Sequence, residues 1–152
     1  MRCVIQRVTR ASVEVAGKVV GAINRGLLVL AAVQKGDTDS EISHIAHKIV
    51  GLRIFADEAG KMNLSVGEAG GAILAVSQFT LAGSLERGRR PSFDGAEEPE
   101  RARELFQQFV SLLRELGTIV ETGVFREYMT VELVNDGPVT FVLDSRETKA
   151  RS

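Results

Sequence analysis

The chain has 152 residues and a formal net charge of -1, and its composition is 44% hydrophobic and 26% charged. These values are typical of one water-soluble globular domain. They exclude a global positive field that would draw the chain to nucleic acid, so any RNA contact must come from a local basic patch.

The single cysteine, Cys3, excludes an internal disulfide and a multi-cysteine zinc site, and it fits a reducing cytosol. Charged residues follow Met1 too early for a signal peptide. The longest apolar run, 26–33, is far shorter than the ~20 residues that span a bilayer. We therefore expect a cytoplasmic protein without a membrane segment.

Apolar or β-branched runs in the first half of the chain predict strands. These runs cover residues 4–15, 19–23, 27–33, 53–55 and 72–76. A turn at Ala16-Gly17-Lys18 joins the first two runs, so the chain should open with a hairpin. The run 27–33 has no alternation of apolar and polar residues, which favours a strand buried on both faces.

Two amphipathic helices are predicted. The first covers 41–51 after N-cap residues at 37–40, and one of its faces carries only apolar residues. The residues of that face are Ile42, Ile45, Ala46 and Ile49. The second helix follows a polar loop, begins near Pro99, which suits a first helical turn, and ends before Gly117.

Further strands are predicted over 118–123, 128–134 and 139–143. The segment between the last two should turn the chain from one strand into the next. Residues 144–152 are charged and have no pattern, which predicts a frayed tail. We expect one domain over 1–145 and a charged C-terminal tail over 146–152.

Side chains that could act as a catalytic base or bind a metal are few. His44 and His47 are the only histidines, and both fall on the solvent side of the first helix. With Glu41 they are three residues apart and could meet as metal ligands, but the spacing is not that of the zinc proteases. A solvated helix face is the favoured interpretation, so we expect no metal. Cys3 should pack as a small apolar side chain.

Two polar segments end predicted strands. In Ser77-Gln78-Phe79-Thr80-Leu81, two hydroxyl groups flank an amide, and local capping is the alternative to function. In Asn135-Asp136-Gly137-Pro138-Val139-Thr140, a hairpin turn is the alternative. Proline removes an N–H donor and X-Pro bonds can be cis, so this pair can direct its carbonyl groups where an ordinary turn cannot.

Positive charge is concentrated in the predicted loop before the second helix, at Arg87, Arg89 and Arg90. A solvated, mobile loop is one interpretation. Binding to a phosphate backbone is the other, since such contacts need cations but little sequence specificity.

In combination, five segments resemble the D-aminoacyl-tRNA deacylase family. They are Ile5-Gln6-Arg7-Val8, Lys61-Met62-Asn63-Leu64, Ser77-Gln78-Phe79-Thr80-Leu81, Arg90-Pro91-Ser92-Phe93 and Asn135-Asp136-Gly137-Pro138-Val139-Thr140. Each is short enough to arise by chance, but five in the same order are highly specific. The resemblance runs through nearly the whole chain.

The resemblance implies a single compact α+β domain with a β-barrel-like sheet and two main helices. It also implies an obligate homodimer with its active sites at the interface, and no cofactor. The implied reaction is hydrolysis of the ester that joins a D-amino acid to the 3′ terminal adenosine of tRNA, a proofreading step in translation quality control. Glycyl-tRNA mischarged on tRNA(Ala) is an expected further substrate, because glycine has no side chain to exclude.

The resemblance also implies roles for individual residues. A cis Gly137-Pro138 bond would reach into the partner subunit's site, where its carbonyl groups exclude an L side chain, with Arg7 as its support. The substrate-binding set continues with Val139, Thr140, Phe125 and Met129, and the catalytic set is Ser77, Gln78, Phe79 and Thr80. The arginine content around Arg87, Arg89 and Arg90 looks like local variation within the family, and contact of these residues with the RNA backbone is expected from their charge.

Two mechanisms and two rival functions stay open. Thr80 could act as nucleophile, but the sequence offers it no base; assistance by the 2′-hydroxyl of the tRNA ribose, with N–H groups near Phe79 and Thr80 at the oxyanion, is preferred. One rival is a related editing deacylase that removes L-alanine. The other is a non-catalytic RNA- or DNA-binding module, which the absence of Trp and the single Tyr disfavour.

Overall fold

The computed structural model describes residues 1–150, with the side chains of residues 1–147. The strands are β1 (Arg2–Val15), β2 (Lys18–Ile23), β3 (Gly26–Ala32), β4 (Phe55–Ala56), β5 (Met62–Leu64), β6 (Ala72–Ser77), β7 (Ile119–Thr122) and β8 (Thr130–Asp144). The helices are α1 (Asp39–Gly51), α2 (Pro99–Glu115) and α3 (Ser145–Ala150), and a 3₁₀ turn covers Phe79–Ala82. None of the helices in this described part is long and apolar enough to cross a membrane.

The main sheet has the strand order β2–β1–β3–β6–β7, and β8 pairs with β1. β1 is the central strand of the sheet. It pairs antiparallel with β8 on one side, and on the other side its first half pairs with β3 and its second half with β2. β3, β6 and β7 run parallel to one another. β2 and β7 lie against each other, so the sheet curls into a nearly closed barrel, as the sequence resemblance implied.

The helices complete the core. α1 begins with a capping box in which the Glu41 carboxylate accepts a hydrogen bond from the Thr38 N–H at 2.6 Å. The residues of α1 that are buried are those predicted, Ile42, Ile45, Ala46 and Ile49. α2 begins at Pro99 and contributes buried residues that include Leu105 and Phe109. Nearly every residue of β3 is buried, which confirms a strand covered on both faces.

The prediction of two separate strands at 128–134 and 139–143 is wrong. One strand, β8, runs through both and through the segment between them, pairing with β1 on each side of it. In this register Thr140 lies opposite Gln6 and Asn135 lies opposite Val8. Residues 136–139 therefore pass the single position Arg7 as a large bulge, which bends a strand without ending it.

The prediction of a frayed tail from residue 144 is also wrong for residues 144–150. Asp144 ends β8 and is buried, and Ser145, fully buried, begins α3. Arg2 Nε donates to Asp144 Oδ2 at 2.9 Å, and Ser145 N–H donates to the Met1 carbonyl at 3.0 Å. These contacts fasten the end of β8 to the start of β1. Residues 151–152 lie outside the described residues.

Smaller differences concern short elements. The strand predicted at 53–55 is shifted to β4, which pairs with β5 in a separate two-residue ladder within the described chain. Neither β5 nor the 3₁₀ turn was predicted. Both are too short to produce a periodic pattern of apolar residues.

A substitution at Gly26 tests the close approach of β3 and β6. A Cβ at Gly26 would overlap the carbonyl oxygen of Ala72, a backbone atom that cannot move unless the two strands separate. We expect Gly26→Ala to lower the free energy of unfolding by about 2 kcal/mol or more, as measured by urea denaturation. Gly51→Ala is the control, because a Cβ there meets nothing within 4 Å and should leave stability unchanged or slightly raised. Equal stability of the two variants would contradict the close approach.

Candidate active site

The first polar segment forms the 3₁₀ turn at the end of β6. The Gln78 N–H donates to the Ala31 carbonyl at 2.8 Å, which anchors the start of the turn to the end of β3. Leu81 N–H donates to the Gln78 carbonyl at 3.1 Å, and Gly83 N–H donates to the Thr80 carbonyl at 3.0 Å. The first N–H groups of such a turn, those of Phe79 and Thr80, have no acceptor inside it.

The side chains of this turn are fixed although they are exposed. Gln78 Nε2 donates to Thr80 Oγ1 at 2.7 Å. The Phe79 ring is 60% exposed and meets the Phe93 ring edge-on, with 5.2 Å between the centroids. The turn therefore presents a hydroxyl group, backbone N–H groups and an aromatic pair to solvent.

A cleft of about 840 Å³ opens beside the 3₁₀ turn. Its other walls are the start of α2 and the connection between β7 and β8. The lining includes six residues that the sequence indicated, Ser77, Gln78, Phe79, Thr80, Phe125 and Met129. Phe125 and Met129 are partly buried. Phe125 packs against the main apolar core, and Met129 packs against a smaller apolar cluster that includes Val8 and Leu28.

Sequence reasoning missed the charged residues that also line the cleft. Among the described lining residues, these are Glu97, Glu98, Glu127 and Arg126. The Glu97 carboxylate accepts hydrogen bonds from the N–H groups of Glu98 at 2.9 Å and Gly36 at 3.3 Å. These residues belong to loops, so only the fold brings them together.

No side-chain base is hydrogen-bonded to Thr80 within the described part of the protein; its hydroxyl contacts the Gln78 amide. His44 and His47 lie on α1, which does not contribute to the cleft. His47 Nδ1 lies 2.8 Å from the Ser43 carbonyl oxygen. Over residues 1–147, no group of three or more His, Cys, Asp or Glu side chains could hold a metal ion.

Cys3 is fully buried, and burial raises the pKa of its thiol to about 12 because a thiolate would lose its hydration. The nucleophile of a cysteine hydrolase is the thiolate. Cys3 is therefore a core residue without a catalytic part.

The second polar segment forms the bulge of β8, and Arg7 supports it. Arg7 Nε donates to the Asp136 carbonyl at 2.9 Å, and a terminal nitrogen donates to the Ile54 carbonyl at 2.7 Å. Arg7 Nε also lies 3.3 Å from the Asp136 carboxylate. The Arg7 side chain is only 14% exposed, so it is a largely buried cation with backbone carbonyl partners, one of them in the segment that the resemblance expects it to support.

Asn135 closes the bulge from inside. Its Nδ2 donates to the carbonyl groups of Arg7 at 3.3 Å and Val139 at 3.0 Å, and its Oδ1 accepts from the Val139 N–H at 3.3 Å. The Gly137–Pro138 peptide bond between these contacts is cis. A Cβ at Gly137 would overlap the Val139 nitrogen, so only glycine fits there.

The two polar segments do not meet within one chain. Residues 135–140 are not among the described residues that line the cleft. Gly137, Pro138 and Thr140 are exposed, whereas Val139 is buried. The Gly137–Pro138 junction is therefore a fixed backbone element that points into solvent.

The predicted basic loop, residues 84–92, lies next to the cleft. Ser84 and Ser92 close it by reciprocal N–H to carbonyl hydrogen bonds of 2.7 and 2.9 Å, and Phe93, the next residue, lines the cleft. Arg87, Arg89 and Arg90 lie at the exposed end of this loop.

The family model of D-Tyr-tRNA(Tyr) deacylases matches residues 4–144. The chain belongs to this family of hydrolases. It is 60% identical over 147 residues to a D-aminoacyl-tRNA deacylase of Koribacter versatilis, which covers 97% of this chain and 99% of the relative. It is 59% identical over 152 residues to a D-aminoacyl-tRNA deacylase of Geobacter sulfurreducens, with 100% and 98% coverage.

Two solved structures are similar to this chain along almost its whole length. A c-Myc DNA unwinding element binding protein has a TM-score of 0.91 and 42% identity, covering 95% of this chain and 98% of that protein. A probable eukaryotic D-amino acid tRNA deacylase has a TM-score of 0.82 and 20% identity, with 94% and 98% coverage. The second likeness concerns the fold alone.

Proposed function

We propose that this chain hydrolyses the ester between a D-amino acid and the 3′ terminal adenosine of tRNA, releasing free D-amino acid and tRNA in the cytoplasm. The observation that carries the proposal is the cleft at the Ser77–Thr80 turn, where backbone donors are exposed and, among the described residues, the Thr80 hydroxyl is hydrogen-bonded to an amide and to no side-chain base. Membership of the deacylase family supports the same reaction.

The complete site needs two copies of the chain. Gly137 and Pro138 are exposed and lie outside the cleft of their own chain, yet hydrogen bonds from Arg7 and Asn135 fix the surrounding bulge. A homodimer in which each junction enters the partner's cleft explains both properties. Exposed apolar residues of β8 support an interface along this strand; they are Val134, Phe141 and Val142, with exposures of 38%, 43% and 68%.

Chirality is read by the backbone in this proposal. The carbonyl groups of Gly137 and Pro138 occupy the space that an L side chain would need, whereas a D side chain points away from them. Exclusion by main-chain oxygens needs no side-chain pocket, so many D-amino acids are accepted. Glycine has no side chain to exclude, so glycyl-tRNA mischarged on tRNA(Ala) is cleaved as well.

Val139 and Thr140, which follow the junction, fix the orientation of its carbonyl groups. Val139 is buried behind it, and the Thr140 hydroxyl oxygen accepts a hydrogen bond from Gln6 Nε2 of β1 at 3.2 Å. Val139 is the last residue of the bulge, and Thr140, opposite Gln6, resumes the ladder with β1. They therefore limit how far the carbonyl groups can rotate.

Catalysis is assisted by the substrate. Water attacks the ester carbonyl carbon with help from the ribose 2′-hydroxyl, the bond to the 3′-oxygen breaks, and that oxygen takes up a proton. The N–H groups of Phe79 and Thr80 stabilise the developing oxyanion. Thr80 helps to position the turn and does not attack the ester, because its hydroxyl is hydrogen-bonded to the Gln78 amide and to no base among the described residues.

Two apolar residues of the cleft and the arginines of the basic loop bind tRNA. Phe125 and Met129 are walls for the terminal adenosine, since they are apolar and only partly buried. Arg87, Arg89 and Arg90, which are exposed on the neighbouring basic loop, contact phosphates of the tRNA without regard to its sequence.

A second candidate is nucleic-acid binding without catalysis. The likeness to a c-Myc DNA unwinding element binding protein favours it, together with the three exposed arginines of the basic loop. It requires salt-sensitive binding and no ester cleavage.

Matched tRNA substrates test the reaction. We expect the purified protein to hydrolyse D-tyrosyl-tRNA at least about 100-fold faster than L-tyrosyl-tRNA, a difference of ~2.7 kcal/mol in transition-state energy. Glycyl-tRNA should be cleaved and L-alanyl-tRNA spared. Preference for L-alanyl-tRNA would indicate the related editing deacylase instead. Binding without any cleavage would indicate the nucleic-acid module.

A substitution of Thr80 tests the mechanism. Because the attacking group is water, we expect Thr80→Ala to retain turnover within about tenfold of the wild type, the loss reflecting poorer positioning of the turn. Single-turnover deacylation of D-tyrosyl-tRNA measures the effect, and tRNA binding is measured in parallel. Complete loss of turnover with normal binding would return Thr80 to the role of nucleophile.

A further inference from the structure

The connection between β7 and β8 carries two side chains that the proposed reaction does not use. Arg126 and Tyr128 both line the cleft, and both are exposed. Tyr128 is 89% exposed, the largest exposure among the exposed large apolar side chains in the described structure. An aromatic ring presented in this way has gained almost nothing from burial, and its face is available to a ligand.

Arg126 differs from every other charged residue of the cleft. Among the described lining residues it is the one cation, whereas Glu97, Glu98 and Glu127 are anions. It forms no ion pair within the part of the chain that the structure describes. A polyanion that approaches the cleft meets these three negative charges, and Arg126 is the cation of the described lining that can offset part of the repulsion.

Burial orders the residues of this connection by depth. Phe125 packs against Phe106, with 6.3 Å between the ring centroids, and Met129 packs against the smaller apolar cluster. Arg126, with a backbone φ of +67° that non-glycine residues seldom adopt, lies between them on the outside together with Tyr128. Phe125 and Met129, the deeper pair, are placed to contact the terminal nucleoside. Arg126 and Tyr128, the outer pair, are placed to contact the nucleotide that precedes it in the tRNA.

We propose that Arg126 and Tyr128 bind the single-stranded 3′ end of the tRNA at the mouth of the catalytic cleft. Arg126 pairs with the phosphodiester that precedes the terminal adenosine, and Tyr128 stacks on the base of the penultimate nucleotide. An exposed cation beside an exposed ring is the arrangement by which proteins bind single strands without reading their sequence. The inference rests on the proposed function, since it assigns the path of that substrate.

Two substrates separate this contact from the chemistry. D-Tyrosyl-tRNA has the phosphodiester and the penultimate base, whereas D-tyrosyl-adenosine has neither. We expect Arg126→Ala and Tyr128→Ala each to raise KM for D-tyrosyl-tRNA about tenfold with kcat within about twofold. Both variants should match the wild type on D-tyrosyl-adenosine.

Conservative variants and salt identify the two contacts. Arg126→Lys keeps the charge, and Tyr128→Phe keeps the aromatic ring. Each should therefore have a KM for D-tyrosyl-tRNA much closer to the wild-type value than the corresponding alanine variant. Arg126→Ala should also make the dependence of log(kcat/KM) on log salt shallower by about 0.7, the value for one phosphate of a single strand. Tyr128→Ala should leave that slope unchanged. Lys48→Ala, an exposed cation of α1 away from the cleft, is the charge control and should leave KM unchanged.

The outcomes distinguish this inference from the function on which it rests. A wild-type protein that cleaves neither substrate overturns the proposed function. Normal wild-type cleavage, with unchanged KM in both alanine variants, overturns the inference alone. A rise in KM on both substrates also overturns it, because the contact would then be to the terminal nucleoside.

Discussion

The Arg7 guanidinium group holds together the part of the structure on which the proposed chemistry depends. It lies in β1 opposite the bulge of β8 and donates to the carbonyl groups of Asp136 and Ile54. Hydrogen bonds from a charged donor are worth about 1.5–3 kcal/mol each, and a cation that is only 14% exposed needs such partners. Asn135 adds hydrogen bonds to the carbonyl group of Arg7 on β1 and to that of Val139 at the far end of the bulge. The Gly137–Pro138 junction is therefore rigid although it is exposed.

This arrangement divides the proposed site between two places in the fold. Hydrogen bonds to β1 fix the junction on β8, whereas the cleft is formed by the end of β6, the start of α2 and the connection before β8. A second copy of the chain would unite them, and each active site would then combine a rigid backbone filter with a cleft that supplies backbone donors. In the described part of the protein the Thr80 hydroxyl is hydrogen-bonded to the Gln78 amide and to no base, which agrees with chemistry that relies on the substrate's own hydroxyl group.

Local patterns in the sequence were sufficient for much of the fold. The apolar spacing of Ile42, Ile45 and Ile49 predicted the buried face of α1, and Pro99 marked the start of α2. The bulge of β8 could not be predicted, because Asn135 to Pro138 has the composition of a turn and its pairing with β1 is about 130 residues distant in sequence. Ser77 to Thr80 was found as a strand-end motif, whereas Glu97, Arg126 and Tyr128 lie in loops without periodicity, and only the folded chain brings them to the cleft.

Complementation between two inactive variants tests the central claim, that the junction of one chain completes the cleft of another. Ser77→Phe fills the cleft but keeps the junction, and Gly137→Ala distorts the junction but keeps the cleft. Each variant alone should fail to hydrolyse D-tyrosyl-tRNA, Ser77→Phe because its cleft is filled, and Gly137→Ala because its Cβ would overlap the Val139 nitrogen and displace the junction into the space that the substrate needs in the partner's cleft. Refolded together in equal amounts, they should recover about one quarter of wild-type activity, because half of the dimers are mixed and each mixed dimer has one intact site. A mixture as inactive as its components, with mixed dimers present, would contradict the account.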